Sequence, residues 1–348
     1  MSKYNCSIPY RKLISVVMPV FNGEVYVSKA IESICCQTYS NLEYIIINDG
    51  STDATSSLIH RYQKHDKRIR VITHKKNCGI VRSLNEGVLC SKGFYIARMD
   101  ADDISLSHRL EKQLLFMENH DSYGVVSSSF YVLRKNKLMR EISAFPNCDD
   151  LIKTYFLMTN PFPHGAVMMR RTSIEKYFPH LYFPQEEYFE DYALWSRLLV
   201  RTKFMILEEP LYIWRDNVDG ISNRNKTTMI NGIKQINDKI FPYIYNSYIH
   251  NMTPKKYFSY FLREKRNIFL SNENKDMVFM IPLLKMYQKL FFFIAMLFFK
   301  KKRLSDAILL LLMSTIMNII YFIQKIYVIY NFQKIKKQTI NNENYSCR

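Results

Sequence analysis

Three carboxylates fall within four positions at Asp100-Ala101-Asp102-Asp103, directly after the apolar, β-favouring run Phe94-Tyr-Ile-Ala-Arg-Met99. A strand that ends this abruptly delivers oxygen ligands to the crevice at the carboxyl edge of an open α/β sheet. The Asp-x-Asp spacing lets two carboxylates share one hard divalent cation, and Mg²⁺ or Mn²⁺ held this way completes its shell with substrate phosphate oxygens. The natural partner is a diphosphate. Taken alone, the same residues also read as a solvated acidic turn capping the next helix.

Further along, Glu190 and Asp191 stand side by side ahead of apolar residues at helical spacing, through Trp195, Leu198 and Leu199. Acids in a first helical turn are often simple dipole partners. Here desolvation by the aromatic face and the neighbouring like charge would raise the Asp191 pKa toward that of a useful general base. His164, in Asn160-Pro-Phe-Pro-His-Gly165, is either a loop histidine bonded to backbone or a group lining an acceptor pocket. Asp49 ends an apolar run, Glu43 to Asn48, where it can accept a hydrogen bond from a base or sugar. Ser51, Thr52 or Asp53 then caps a helix to about Lys64. Arg215 can reach a diphosphate.

The elements that must position these groups alternate. Ile14 to Val20 is a buried strand ended by Pro19, and Val27, Ala30, Ile31, Ile34 and Cys35 follow on one helical face. Glu43–Asn48, Arg70–Thr73 and the run before Asp100 are further strands, with a helix carrying Val81, Leu84, Val88 and Leu89 between the last two. Such alternation predicts a doubly wound, largely parallel sheet. Ser105 or Ser107 is expected to cap a helix to about Asn119. Val125–Leu133 should be a strand with a polar hairpin tip at 134–137, Ala166–Arg171 another, and Phe204–Leu207 a third. Tyr212 to Ser222 then closes the catalytic region. No Gly-x-Gly-x-x-Gly or Walker A loop occurs at a strand end, which argues against a nicotinamide enzyme or a P-loop ATPase.

The chain of 348 residues carries a net charge of +18. Up to Arg224 there are 29 Lys/Arg against 25 Asp/Glu; from Asn225 onward, 20 against 6, so +14 of the excess lies in the last third. That charge accompanies long apolar runs, which suits an anionic membrane surface better than a nucleic acid. No nucleic-acid partner is expected. The seven cysteines show no metal-finger spacing and read as unpaired intracellular thiols. Residues 1–12, an N-terminal extension, lack the apolar core of a signal peptide, which predicts a cytoplasmic catalytic part.

Met18-Pro-Val-Phe-Asn-Gly23, Asn48-Asp-Gly-Ser-Thr-Asp53, Met99-Asp-Ala-Asp-Asp103, His164-Gly-Ala-Val-Met-Met-Arg170 and Glu190-Asp191 together resemble glycosyltransferase family 2, in order and approximate spacing. The resemblance covers about residues 13–225. It implies an inverting, metal-dependent GT-A transferase, hexosyl or N-acetylhexosaminyl, of the kind that extends bacterial lipo-oligosaccharide, O-antigen or capsule chains. The donor implied is a nucleotide sugar, in first place a UDP-sugar, and the acceptor a lipid-linked or oligosaccharide hydroxyl. Carried over residue by residue, main chain at Pro19 and Val20 and the Asp49 side chain would hold the base. Asp100 would contact ribose or donor sugar, Asp102 would ligate Mn²⁺ or Mg²⁺, and Asp191 would take the acceptor proton. Arg82, Arg98, His164, Glu190 and Arg215 complete the expected substrate-binding set. One position departs from the pattern: Asn217 stands where many members carry the His of Tyr-Arg-x-His.

Two rival readings stay open. A sugar nucleotidyltransferase also uses an α/β sheet and carboxylate-bound Mg²⁺, but would ordinarily carry a Gly-rich basic loop after its first strand. A non-catalytic membrane scaffold with a decayed transferase domain has Asn217 as its best argument. Past residue 226 the resemblance fades into a helical, basic region. Two apolar segments, about 278–299 and 304–330, are expected to associate with the membrane, as an in-plane or re-entrant anchor or as a span or hairpin, with a buried helical subdomain or oligomer interface as the alternative. These features predict an enzyme held peripherally, or anchored, at the inner face of the cell membrane.

Overall fold

Seven consecutive buried residues, Ile14–Val20, make β1, and the nearly continuous apolar run Leu42–Asn48 makes β2. Strands with no polar alternation are stable only when both faces are covered, which places them in the middle of an α/β sheet. The computed structural model describes residues 12–134, 137–139, 148–157, 159–217, 225–249, 292, 295 and 306–315. Within these, β3 is Ile69–Thr73, β4 Tyr95–Arg98, β5 Ile104–Ser105, β6 Tyr123–Arg134, β7 Lys137–Met139, β8 Met168–Arg170 and β9 Lys203–Arg215. The helices are α1 (Val27–Cys35), α2 (Thr55–His65), α3 (Ile80–Leu89), α4 (Arg109–Asn119), α5 (Asp149–Phe156), α6 (Arg171–Ile174), α7 (Glu190–Leu199) and α8 (Lys226–Ile244).

The sheet order is β3-β2-β1-β4-β8-β6-β9-β5, with β7 paired to β6. The first four strands are parallel, as the alternation of elements predicts. Beyond them the sheet is mixed: β8 runs antiparallel to both β4 and β6, and β6 runs parallel to β9. Of the expected apolar faces, Val27, Ala30, Ile31 and Ile34 on α1 and Val81, Leu84 and Val88 on α3 are buried, whereas Cys35 is half-buried and Leu89, the last residue of α3, is exposed.

Four local expectations change. The strand expected at 166–171 shortens to Met168–Arg170, because His164–Ala166 forms a 3-10 turn and Arg171 opens α6. The strand expected at 204–207 continues to Arg215, because the register with β6 shifts between Ser128↔Leu207 and Ser129↔Pro210, leaving Glu208 and Glu209 outside the ladder. A bulge of this kind bends the strand without ending it. Ser105 caps no helix, since β5 pairs with Tyr212 and Ile213 of β9. Ser107 does not cap one either: α4 starts at Arg109, whose N–H donates to the Leu106 carbonyl at 2.9 Å.

Two compact units divide the chain. The first holds residues up to Tyr245 apart from Ile142–Phe145, and includes α8. The second comprises Asn246–Arg348 with Ile142–Phe145; its described part includes a helix at 306–315 in which Ala307, Leu310 and Ser314 are buried. Among the described residues no helix is long and apolar enough to cross a membrane. Most of the segments 278–299 and 304–330, residues 1–11 and residues 218–224 lie outside the described residues.

Close helix-on-sheet packing depends on Gly87 in α3. A Cβ there would sit 2.5 Å from Val17 Cγ1 and 2.6 Å from Ile47 Cδ1. Gly87→Val should therefore destabilise the protein by roughly 1–3 kcal/mol through overpacking, measured as a lower urea midpoint at unchanged slope; equal stability would contradict this packing.

Candidate active site

The carboxyl ends of β1 to β4 open on one edge of the sheet, and backbone hydrogen bonds tie their exits together. Asp49 N–H donates to Val20 O at 2.8 Å, His74 N–H to Asn48 O at 2.9 Å, and Met99 N–H to Val17 O at 3.1 Å. The loops after β1 and β2 are bolted to each other by side chains. Asn22 accepts from Thr52 N–H at 2.9 Å, Gly23 N–H donates to Thr55 Oγ1 at 2.8 Å, and Asp53 accepts from both Glu24 and Thr55 N–H. Asp53 thus fastens two loops together beside the start of α2. Pro19 and Val20 are buried at the end of β1, and Arg82 lies exposed in the first part of α3.

At the end of β4 the three carboxylates meet buried guanidinium groups. Arg98, 2% exposed, donates through Nη2 to Asp100 Oδ1 at 2.8 Å. Arg215 donates its Nε–H to the Asp102 carbonyl at 2.8 Å and its N–H to Asp103 Oδ1 at 2.7 Å, and its guanidinium lies 4.1 Å from the centre of the Tyr26 ring. Burial, then the Asp100 charge, pushes Asp102 up to about 6. Asp103 is pushed well above the usual carboxylate range by burial and then by Asp100 and Asp102. Its Oδ2 is buried without a hydrogen-bond partner. A crowded, under-neutralised set of hard oxygen donors is what Mg²⁺ or Mn²⁺ prefers, so these residues fit such an ion.

The loop Asn160–Gly165 joins this cluster to α7. At one end Asn160 Nδ2 donates to Asp191 Oδ2 at 2.7 Å, while Asp191 Oδ1 accepts from Tyr192 N–H at 2.6 Å. At the other end Gly165 lies against Asp100: a Cβ at Gly165 would fall 2.6 Å from Asp100 Oδ2 and on the Tyr212 hydroxyl. Arg109, fully buried, donates to the Arg98 and Gly165 carbonyls and so clamps the loop to β4. Burial pulls its pKa down to about 10. Burial, first of all, raises Asp191 to about 6 and Glu190 to about 8, and in both the Asp100 charge adds to the rise while Arg98 opposes it. Asp191 and Glu190 therefore sense the same charges as the β4 cluster. His164 Nε2 contacts the Tyr182 hydroxyl at 3.0 Å and its ring packs edge-on to Trp195; burial, then Arg98, keeps it neutral.

Asp49 is 4% exposed and almost fully engaged. Oδ1 accepts from Cys78 N–H at 2.8 Å and contacts His74 Nδ1 at 2.6 Å; Oδ2 accepts from Gly79 N–H at 2.9 Å. Asp49, His74 and Cys78 bring ligand-type atoms within 4.8 Å of one another. His74 Nε2, however, also contacts Glu86 Oε2 at 2.7 Å. An imidazole bonded to two carboxylates carries both its protons and has no lone pair to offer a cation, so this group is a hydrogen-bonded cluster. Across from it Glu187 approaches Gly79, and Tyr188 holds a left-handed φ of 77° two residues before Glu190. Such strain in a non-glycine residue is characteristic of functional segments.

Sequence reasoning singled out neither Asn160, Arg109, Tyr212, His74 nor the Cys78–Gly79 N–H pair as part of this crevice. Only Asn160-Pro and the turn Asn77-Cys78-Gly79 left a local signal. The family model for Glycosyl transferase family 2 matches residues 15–178. A putative glycosyltransferase of Bacillus subtilis, EpsE, is 34% identical over 221 residues, covering 62% of this chain and 78% of its own. The chain belongs to glycosyltransferase family 2. An uncharacterized glycosyltransferase of Haemophilus influenzae is 36% identical over 194 residues, which span 53% of this chain and 60% of the relative. Among solved structures, residues 1–349 of Staphylococcus aureus TarS in complex with UDP-GlcNAc share the GT-A fold at TM-score 0.53 and 14% identity, covering 80% of each chain. The mannosyltransferase PcManGT from Pyrobaculum calidifontis, in complex with GDP-Man and Mn²⁺, does so at TM-score 0.50 and 14% identity, over 89% and 88% of the two chains. In this family 2 chain the family match ends ahead of α7, and packing brings its Glu190 and Asp191 within reach of the Asp100 charge.

Glu190 gives the site a measurable pH signature. Its folded pKa lies above its unfolded value, so the folded state retains a proton that the unfolded chain loses between pH 4.5 and about 8. Stability should fall as pH rises through that window. Glu190→Gln should match the wild type near pH 5 and exceed it by roughly 1–3 kcal/mol at pH 9, read by urea denaturation at both pH values.

Proposed function

We propose that this protein is a metal-dependent, inverting glycosyltransferase that moves one sugar from a nucleotide donor, in first place a UDP-sugar, to a hydroxyl of a growing surface glycan. The observation that carries the reading is the loop Asn160–Gly165, which fastens Asp191 at one end and underlies Asp100 at the other. Acceptor-side and donor-side groups are thereby held against one crevice.

In this reading the crevice floor, Pro19, Val20 and Asp49, receives the base. Asp49 Oδ2 accepts only one hydrogen bond among the described residues and keeps a lone pair for a base N–H. Asp100, Arg98 and Arg215 border the sugar and diphosphate, and Arg82 lies at the α3 rim. A divalent ion held by Asp102, with Asp100 beside it, would oppose the charge that grows on the departing nucleoside diphosphate. Asp191 is oriented by Asn160 and Tyr192 and ionised above about pH 6, so near neutrality it can take the acceptor proton. As the acceptor oxygen bonds the anomeric carbon, the bond from that carbon to the diphosphate oxygen breaks on the opposite face, with inversion. Glu190 stays protonated near neutrality and adds no second negative charge beside the base. His164, neutral and packed on Trp195, lines the acceptor side.

Residues 13–225 form the catalytic domain, and the basic region 226–348 holds it to an anionic membrane surface at the cytoplasmic face, where a lipid-linked acceptor would be presented. The +14 excess of that region supports this.

Incubation with UDP-sugars, Mn²⁺ and an acceptor panel should release UDP, and both chelation and Asp102→Ala should abolish release. Pyrophosphate formation from UTP would instead indicate nucleotidyl transfer. Asp191→Asn should bind UDP with near wild-type affinity while transfer falls by about 10²–10⁴-fold. The wild-type rate should drop about tenfold per pH unit below pH 6. Near-normal turnover in that variant would remove the base assignment.

A further inference from the structure

We infer that His74 is a positioning residue for the donor base: clamped as an imidazolium between Asp49 and Glu86, it holds Asp49 so that Oδ2 faces the base. The inference rests on the nucleotide-donor reading above and extends it to a residue outside the five motifs that carry the family resemblance.

The geometry is specific. His74 follows the last residue of β3, and its ring is 7% exposed. Each ring nitrogen lies in hydrogen-bond contact with a carboxylate oxygen, Nδ1 with Asp49 at 2.6 Å and Nε2 with Glu86 at 2.7 Å. A carboxylate only accepts, so both contacts are satisfied together only when the ring carries two protons. Burial opposes that charge, but the hydrogen bonds and charges of Asp49 and Glu86 overcome it and raise the His74 pKa. The groups facing the ring are Asp49 from the end of β2, Glu86 from α3, and Cys78 from the intervening loop, whose Sγ donates to the Lys76 carbonyl at 3.3 Å. Beyond them Glu187 approaches Gly79.

The consequence falls on Asp49. His74 and Cys78 N–H together occupy Oδ1, whereas Oδ2 takes only Gly79 N–H. The carboxylate is thereby fixed in orientation, with one accepting position on Oδ2 that no described residue fills. That position matches a ring N–H flanked by two carbonyls, as in uracil, or by a carbonyl and an amino group, as in guanine, and repels the bare ring nitrogen that cytosine or adenine presents there. Once His74 loses a proton, a lone pair faces one of its two carboxylates. Asp49 or Glu86 must then turn away, and the base loses an aligned acceptor.

Calorimetric titration with UDP and saturating Mg²⁺ tests this, using the full-length wild type, His74→Gln and Glu86→Gln between pH 6 and 9. Ring ¹⁵N shifts locate the His74 titration. UDP's own phosphate titration is common to all three proteins and cancels in ratios of Kd. His74→Gln should weaken UDP about tenfold at pH 6, and the ratio should approach one as pH rises through the His74 pKa. Glu86→Gln, which removes one of the two carboxylates at a half-exposed position, should shift both the titration and that crossover to lower pH. A pH-independent Kd ratio, an unmoved crossover in Glu86→Gln, or a neutral or metal-bound ring at pH 6 would overturn the inference. Absence of binding by UDP and GDP in the wild type would overturn the nucleotide-donor reading and this role with it.

Discussion

Three carboxyl groups, Asp100, Asp102 and Asp103, crowd the end of β4, the Asp100 charge reaches Glu190 and Asp191 at the start of α7, and the surrounding structure is organised to make that tolerable. Concentrated negative charge in a low-dielectric site is costly unless it is paired, protonated or bound to a cation. The protein uses the first two routes visibly. Arg98 pairs with Asp100 from beneath, Arg215 holds main chain at Asp102 and the carboxylate of Asp103, and burial favours the protonated forms of Asp103 and Glu190. The residual imbalance is what a divalent ion and a diphosphate would adjust.

Precision in this crevice comes from main chain more than from side chains. Four parallel strands end on the same edge because their pairing registers are continuous, and the exits are stitched by Asp49 N–H to Val20 O and Met99 N–H to Val17 O. The loops after β1 and β2 are locked by Asn22, Asp53 and Thr55. A catalytic constellation held this way needs little reorganisation when substrate arrives. Arg109 plays the corresponding part for the loop Asn160–Gly165, holding the Gly165 carbonyl against β4 from a fully buried position.

Family membership and architecture separate cleanly in this chain. The family 2 match covers the parallel half of the sheet and the crossing to β8, ending at residue 178. α7 and β9 lie beyond it, yet they complete the crevice, and α8 packs on α7 through the hydrogen bond from Tyr192 Oη to Asn237 at 2.6 Å. The end of the family match is therefore not the end of the compact unit, which runs to Tyr245.

The amino-acid sequence by itself determined the elements with strong local signatures. The unbroken apolar runs of β1 and β2, the helical faces of α1 and α3 and the abrupt acidic end of β4 follow from burial and periodicity, which depend on near neighbours. It also marked Asp49, Asp102 and Asp191 through motif order. Tertiary structure alone decided what each carboxylate touches. That Asn160 holds Asp191, that Gly165 leaves no room beside Asp100, that β9 runs on to Arg215 past a bulge, and that His74 bridges two carboxylates are contacts between residues far apart in the chain. Hydrogen-bond direction and local charge depend on where the backbone crosses itself, and no spacing along a sequence encodes that.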